Sequence, residues 1–411
     1  GPLGALHGLP MAVKDLEDVR GLPNTQGSPL FRETIAETDS IMVARMRAAG
    51  AIFIGKTNVP EFGFGSHTYN PVFGTTLNAY DQSRTAGGSS GGAAVALATR
   101  MVPLADGSDH AGSLRNPAGF NNIFGFRPSF GRIPTEAADV FAATFGVVGP
   151  MARNVADLAL LLSVQAGPHP DAPLSIRESA ASATAPLDVS IAGRRIGWLG
   201  DLGGYLGMEP GILPLCEDGL RVLEDLGCDV EPVAIGFPMA ELWDAWTLLR
   251  SWGAAIALGD FYADPAKRDL LKPEAQWEVS RGLAVSGTDI ARALAVRSRW
   301  YQHMQGLFAR YDHLVLPTAQ VFPFPADWTW PKEIAGRAMD TYHRWMEVVI
   351  LATCAQCPAI SLPVGFNEAC LPMGMQVLAP YAQELSCLQL GHAYDIATRW
   401  PEQRRPAPLP A

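Results

Sequence analysis

Apolar positions along the chain fall into short runs of two kinds, some spaced as helices and some continuous as buried strands. Met11 to Val13 is a short apolar run that closes on Lys14 and Asp15 and reads as a strand. Ser40 to Ala49 (SIMVARMRAA) has helical periodicity, stops at Gly50 and gives way to a strand over Ala51 to Ile54. Gly91 to Arg100 (GGAAVALATR) predicts a buried helix that starts from the glycine-serine cluster before it, and Met101 to Ala105 predicts the next strand. Further on, Arg195 to Leu199 is strand-like, and the amphipathic run Leu213 to Leu226 feeds a strand over Asp229 to Val233. Helical patterns dominate Ala240 to Tyr311, and His313 to Pro317 and Ala359 to Val364 read as buried strands. Helices and strands that alternate in this way predict an α/β protein.

Between Ala166 and Pro186 the composition shifts to Pro, Ala and Ser, which predicts a surface linker rather than a core element. The longest stretch of low polarity, Val348 to Phe366, is interrupted by Gln356 and Pro358, so it predicts a buried helix leading into a buried strand and not a membrane span. Over 411 residues, 48% hydrophobic and 18% charged positions provide for a sizeable core and argue against disorder. A formal charge of −10 argues against a nucleic-acid partner, because phosphate binding wants a basic face. Six cysteines (Cys216, Cys228, Cys354, Cys357, Cys370 and Cys387) are too sparse for a disulfide scaffold, and their apolar or strand-like flanks suit reduced thiols in a cytosol. Cys354-Ala-Gln-Cys357 has metal-knuckle spacing but no second pair follows it, so buried thiols are expected there. Gly1 to Pro10 lacks the basic start and apolar core of a secretory signal, which makes a cytoplasmic location the expectation. The opening Gly1-Pro2-Leu3-Gly4 reads equally as a protease scar or as native sequence.

Chemistry-bearing residues concentrate in the N-terminal third. Two serine-glycine clusters, Gly87-Gly-Ser-Ser-Gly-Gly92 and Gly107-Ser-Asp-His-Ala-Gly-Ser-Leu-Arg115, bring crowded backbone N–H groups beside hydroxyls. That is what a hydrolase needs to hold a tetrahedral oxyanion, although a phosphate-cradling loop has the same glycine content. A flexible linker fits less well, since the first cluster precedes a helix pattern and the second lies between a strand and Pro117. Gly50 to Thr57 formally matches the phosphate-loop pattern, but its middle is strand-like and Pro60 and Gly63 interrupt any helix beyond it. The eight histidines are scattered and no Gly-x-Ser-x-Gly elbow exists; His110, three residues before Ser113, is too near in a tight turn to serve as its base. Lys14 ends an apolar strand, and a desolvated lysine becomes neutral near physiological pH. An ordinary surface lysine is the competing reading of the same local sequence.

Together these segments resemble the amidase signature family. Gly8-Leu-Pro-Met-Ala-Val-Lys14-Asp15 resembles its lysine motif, Gly87 to Gly92 its first serine motif, and Gly107 to Arg115 its nucleophile motif. Gly55 to Gly63, Gly74 to Asn78, Gly125 to Pro128, Gly131-Arg132, Pro363 to Phe366 and Leu371 to Gln376 continue the likeness over nearly the whole chain. The resemblance implies a single domain over residues 1–411, built on a large mixed β-sheet covered by α-helices on both faces, with a variable helical region over 205–311. It also implies Ser113 as nucleophile, Ser89 on a cis peptide as relay and Lys14 as base, with an acyl- or carbamoyl-enzyme intermediate and no cofactor or metal. The backbone N–H groups of His110, Ala111, Gly112 and Ser113 would form the oxyanion hole, and Ser90, Asp109 and Arg115 would brace the loops. The family commonly has glycine where this chain has Ala111, which is strained only if that position needs a positive φ. Only thirteen residues precede Lys14, where the family usually has a helical segment, so an N-terminus further upstream is expected.

Family members act on amides, anilides, fatty amides, cyclic oligoamides and carbamates. Ser108 to Arg132 most resembles a bacterial branch that includes urethanases, so small carbamates, with anilides and small esters beside them, are the expected substrates. An aryl acylamidase or an oligoamide hydrolase is the alternative. A tRNA-amidation subunit would need partner chains and a basic surface, and a non-catalytic scaffold would need a broken triad. No nucleic-acid or membrane partner is expected, and the chain is expected to be a monomer or homodimer. Trp243, Trp246, Trp252 and Trp328 are candidates for an aromatic-accepting pocket, with core packing as the competing reading.

Overall fold

The computed structural model describes residues 3–136, 139–142, 144–178 and 185–407. Ten strands form one mixed sheet. In chain order they are β1 (Pro10–Lys14), β2 (Ile52–Thr57), β3 (Leu104–Asp109), β4 (Phe124–Arg127), β5 (Val147–Ala152), β6 (Arg195–Trp198), β7 (Asp229–Pro232), β8 (His313–Pro317), β9 (Ala359–Phe366) and β10 (Pro372–Leu378). Across the sheet they run β2-β1-β3-β5-β4-β9-β10-β8-β6-β7. The three strands at each edge are parallel and the joins between them are antiparallel. Every residue of β5, β8 and β10 is buried, which requires cover on both faces of the sheet. Helices supply it, among them Gly91–Ala98, Val155–Gln165, Ile212–Asp225 and Glu384–Thr398.

The buried helix Ile350–Ala355 leads into β9, as the apolar stretch Val348 to Phe366 predicts. The candidate phosphate loop is β2 itself, an edge strand, and Lys56 Nζ lies 3.2 Å from the Asp15 carboxylate. One strand is displaced from its expected place. The run predicted over Met101 to Ala105 pairs instead from Leu104 through Asp109, because six ladder pairs with β5 carry it through Gly107 and Ser108. Glycine is required at 107, where a Cβ would stand 2.6 Å from Ser90 Oγ. The first serine cluster is thereby pressed against the strand that leads into the second. Of the linker expected over 166–186, the parts at 166–178 and 185–186 hold turns and one isolated bridge, and 179–184 lie outside the described residues.

The variable region contains the long helices Met239–Ala263 and Gly287–Phe308, with Pro273–Leu283 packed between them in sequence. The last of the long pair is started by a capping box between Ser286 and Asp289. No described helix is long and apolar enough to cross a membrane. Five cysteines are buried free thiols, but Cys370 is exposed, on the turn between β9 and β10, and departs from the apolar or strand-like setting expected of the six. No described cluster of His, Cys, Asp or Glu has the makings of a metal site, Cys354 and Cys357 included.

Candidate active site

Lys14 is the last residue of β1, between β2 and β3, and no part of it is exposed. Its backbone N–H donates to the Asp106 carboxylate at 3.2 and 3.3 Å, which fixes the strand end. The amine Nζ lies 2.7 Å from Ser89 Oγ, 2.9 Å from Ser90 Oγ and 2.9 Å from Ser108 Oγ. Burial lowers its pKa to about 7, against the opposing pull of the Asp106, Asp109 and Glu17 carboxylates. A neutral amine has two N–H donors and one lone pair, so three hydroxyls saturate it: two accept, and the third can donate its proton to nitrogen. The surface-lysine reading is thereby excluded.

Ser89 follows Gly88 through a cis peptide bond and is 2% exposed. Ser113 lies in the turn between β3 and the short helix Arg115–Phe120. One carboxylate holds this turn from within: Asp109 accepts from Gly112 N–H at 2.9 Å and from Leu114 N–H at 3.2 Å, one residue to either side of Ser113. Arg115 donates to the same carboxylate through Nε at 3.0 Å and Nη2 at 2.9 Å, and Arg127 approaches at 3.2 Å. All three side chains are fully buried, and despite the burial the two guanidiniums hold the Asp109 carboxyl well below the usual carboxylate range. Ser90 N–H donates to Ser113 O at 3.2 Å, which brings the two serine clusters side by side. Of the two contacts expected among these three residues, Ser89 Oγ to Lys14 Nζ is made, and no hydrogen bond joins Ser113 Oγ to Ser89 Oγ.

The four expected oxyanion donors divide three to one. Gly112 N–H is committed to Asp109 and is the exception; its φ of +84° is what turns it inward. The N–H groups of His110, Ala111 and Ser113 have no partner among the described residues. Ala111 does not have a positive φ, so alanine is unstrained there, and the left-handed position that demands glycine is 112. The His110 ring is wedged edge-on against Phe145 and Trp246, and burial holds its pKa well below the ordinary histidine value, leaving it a neutral wall of the site and no base.

A cavity of about 460 Å³ adjoins this loop, with Ser108, Asp109 and His110 in its lining, while Lys14, Ser89 and Ser113 are not among the residues that line it. Phe62, Phe64, Phe145, Leu249, Trp252 and Ile256 make much of the rest apolar, and Arg250 and Arg297 add two cations. Of the four candidate tryptophans only Trp252 lines it; Trp243 and Trp246 are core residues, and Trp328 is half exposed and stacks on Phe324. Arg250 carries no sequence signal. Its partners Glu278 and Tyr342 come from 28 and 92 residues away, on other elements. Asp106 belongs to no motif either; it sits in β3 directly before the second serine-glycine cluster.

The Amidase family profile matches residues 1–388. The chain is 32% identical to an acylamidase of Rhodococcus erythropolis, over 98% of this chain and 84% of that one. It is 34% identical to a glutamyl-tRNA(Gln) amidotransferase chain of Thermus thermophilus, over 96% of this chain and 85% of the other. Among solved structures, a bacterial aryl acylamidase of the amidase signature enzymes superposes with a TM-score of 0.91 at 28% identity, covering 99% of this chain and 86% of its own. A 6-aminohexanoate cyclic dimer hydrolase follows at 0.87 and 26%, covering 98% and 87%.

Proposed function

The chain belongs to the amidase family and is a hydrolase of amide C–N bonds, and from that premise we propose that Ser113 is its nucleophile, Lys14 its base and Ser89 the relay between them. The observation that carries this reading is the buried Lys14 amine, with a pKa of about 7, 2.7 Å from the Ser89 hydroxyl. Ser89 passes its proton to Lys14 Nζ while accepting one from Ser113, and Ser113 Oγ attacks the carbonyl carbon. The developing oxyanion is received by the unpartnered N–H groups of His110, Ala111 and Ser113. When the C–N bond breaks, the proton returns along the same path to the nitrogen, which is a poor leaving group until protonated. Water then attacks the enzyme-bound acyl group by the same route. Ser90, Asp109 and Arg115 hold the loops and take no proton.

The substrates we propose are carbamates together with anilides. The likeness of Ser108 to Arg132 to urethanase sequences supports the first, and an apolar, aromatic-walled cavity suits the aryl amine common to both. A second reading, an anilide or oligoamide hydrolase without carbamate activity, is favoured by the aryl acylamidase and cyclic-dimer hydrolase likenesses. Purified protein assayed on a carbamate, an anilide and an ester that share one aromatic amine or phenol separates the two. Turnover of the carbamate within about tenfold of the anilide supports the first reading, and none supports the second. Ser113→Ala should abolish turnover of every substrate with the fold intact; full activity in that variant ends the assignment.

A further inference from the structure

In the lining of the cavity the Arg250 guanidinium is held by one edge only. Nε donates to Glu278 at 2.7 Å, and Nη2 to the Tyr342 hydroxyl at 2.9 Å, which itself donates to Glu278 at 2.7 Å. Ser251 Oγ completes the Glu278 carboxylate at 2.5 Å. Nη1 has no partner among the described residues, and it is not among the polar atoms sealed from solvent. The plane is steadied by the Phe64 ring, 5.1 Å from the guanidinium carbon, and by Trp246 at 5.6 Å. Trp246 also faces His110, so one indole spans from the nucleophile loop to this arginine.

We propose that Arg250 is a specificity-determining residue whose Nη1 donates to a neutral oxygen acceptor, a carbonyl or its equivalent, that the substrate carries beyond its scissile group. The inference rests on the hydrolase reading of the same cavity and adds the substrate class to it. Arg115, by contrast, spends its whole fork on Asp109, Val349, Gln376 and Thr353, and the nitrogens that Arg127 and Arg132 leave unpartnered are sealed from solvent, whereas Arg250 Nη1 is not. The acceptor is neutral because Glu278, ionised beside the guanidinium, already cancels the charge. A carboxylate would give up its water for a pair with no net charge, inside a largely apolar wall. Arg297, the other cation there, has its nitrogens on Cys354 O and on Thr144, and Asp139 is also among the lining residues. Substrates with two carbonyl groups held apart by an aromatic spacer, such as bis-amides and bis-carbamates, have the required shape.

The test uses binding, so that it stands apart from turnover. Three phenylacetanilides, with 4-ethyl, 4-acetyl or 4-carboxylate on the acyl ring, are titrated into the Ser113→Ala protein by calorimetry, and a second series places the same groups on the amine side behind a methylene. The acetyl compound of at least one series should bind about tenfold more tightly than its ethyl partner, the scale of one hydrogen bond from a charged donor. Adding Arg250→Lys, which keeps the charge opposite Glu278 but not the fork, should bring that ratio close to one. Equal binding of acetyl and ethyl compounds in both series overturns the proposal even if the lysine variant does not fold. Tightest binding of the carboxylate, or an acetyl preference that survives Arg250→Lys, overturns it as well. Failure of the hydrolase reading would appear elsewhere, as turnover by Ser113→Ala.

Discussion

Lys14 Nζ and Ser89 Oγ stand 2.7 Å apart with both side chains closed off from bulk water, joining residues 75 positions distant in the chain. Water would keep such an amine protonated, and a protonated amine has no lone pair to receive the serine proton. The sheet that buries Lys14 therefore leaves a neutral amine beside Ser89 near neutral pH, as the proposed base requires.

The pH dependence follows from that burial. With the Lys14 pKa lowered to about 7, only the deprotonated fraction works as base, so kcat/KM should rise with pH through about 7 and level off above it. At pH 6 roughly a tenth of the plateau should remain, as expected one unit below a pKa. A profile measured from pH 5.5 to 9.5 on an uncharged substrate that stays flat, or rises only near the ordinary lysine value of about 10.4, contradicts the neutral-amine base.

Positions 111 and 112 should respond in opposite ways. A Cβ at Gly112 would stand 2.1 Å from Asn116 Oδ1, and its φ of +84° is unfavourable for any other residue. Gly112→Ala should cut kcat/KM by at least about a hundredfold, the scale of losing one oxyanion donor, because the N–H groups on either side must move with it. Ala111→Gly should stay within about threefold of the parent, its φ being an ordinary one. The reverse ranking in a side-by-side assay would move the strained position to 111.

The elements and triad candidates that are visible in the sequence share a physical character. His313–Pro317 and Gly91–Ala98 are largely apolar runs, the strand buried throughout and the helix at six of its eight positions, so hydrophobicity marks them. Phe124–Arg127 and Val147–Ala152 carry no such mark: one is four residues ending in arginine, the other contains Gly149 and Pro150, and only their cross-strand partners make them sheet. Lys14, Ser89 and Ser113 stand out as candidates because each sits in a short local motif. Arg250 and Glu278 sit on separate helices with no motif between them, and the commitment of Gly112 N–H to Asp109 depends on a turn geometry that sequence spacing does not encode.

Thiol chemistry offers a check on burial throughout the chain. Of the six cysteines, Cys370 alone is exposed, and burial pushes the Cys228 thiol up to about 11 and the Cys354 and Cys357 thiols up to about 12. Since the thiolate is the reactive form, Ellman's reagent at pH 8 should titrate one thiol per native chain rapidly and all six in denaturant. Two or more fast thiols in the native protein, or a fast thiol retained in Cys370→Ser, would contradict the packing described.

Asp109 carries the most structural weight near Ser113, and its removal should show it in both stability and rate. It is the shared partner of two fully buried guanidiniums, and breaking a buried pair from one side leaves an uncompensated charge, at a cost of about 3 to 5 kcal/mol. Asp109→Asn keeps one oxygen for Gly112 or Leu114 N–H but not the charge, so it should lose about 3 kcal/mol in urea unfolding, the lower end of that range, and most of its turnover with it. The pH dependence of this loss has a definite sign. The folded carboxyl is held below the usual carboxylate range, so the unfolded chain binds its proton first as pH falls. The stability that Asp109 contributes is therefore fully present above the unfolded value of about 3.9 and is lost only as pH falls below it, toward the folded value. The difference between parent and Asp109→Asn should stay constant from pH 8 to pH 5 and shrink only below about pH 4. A difference that fades already between pH 7 and pH 5 would mean that the carboxyl is not paired as its two arginines require.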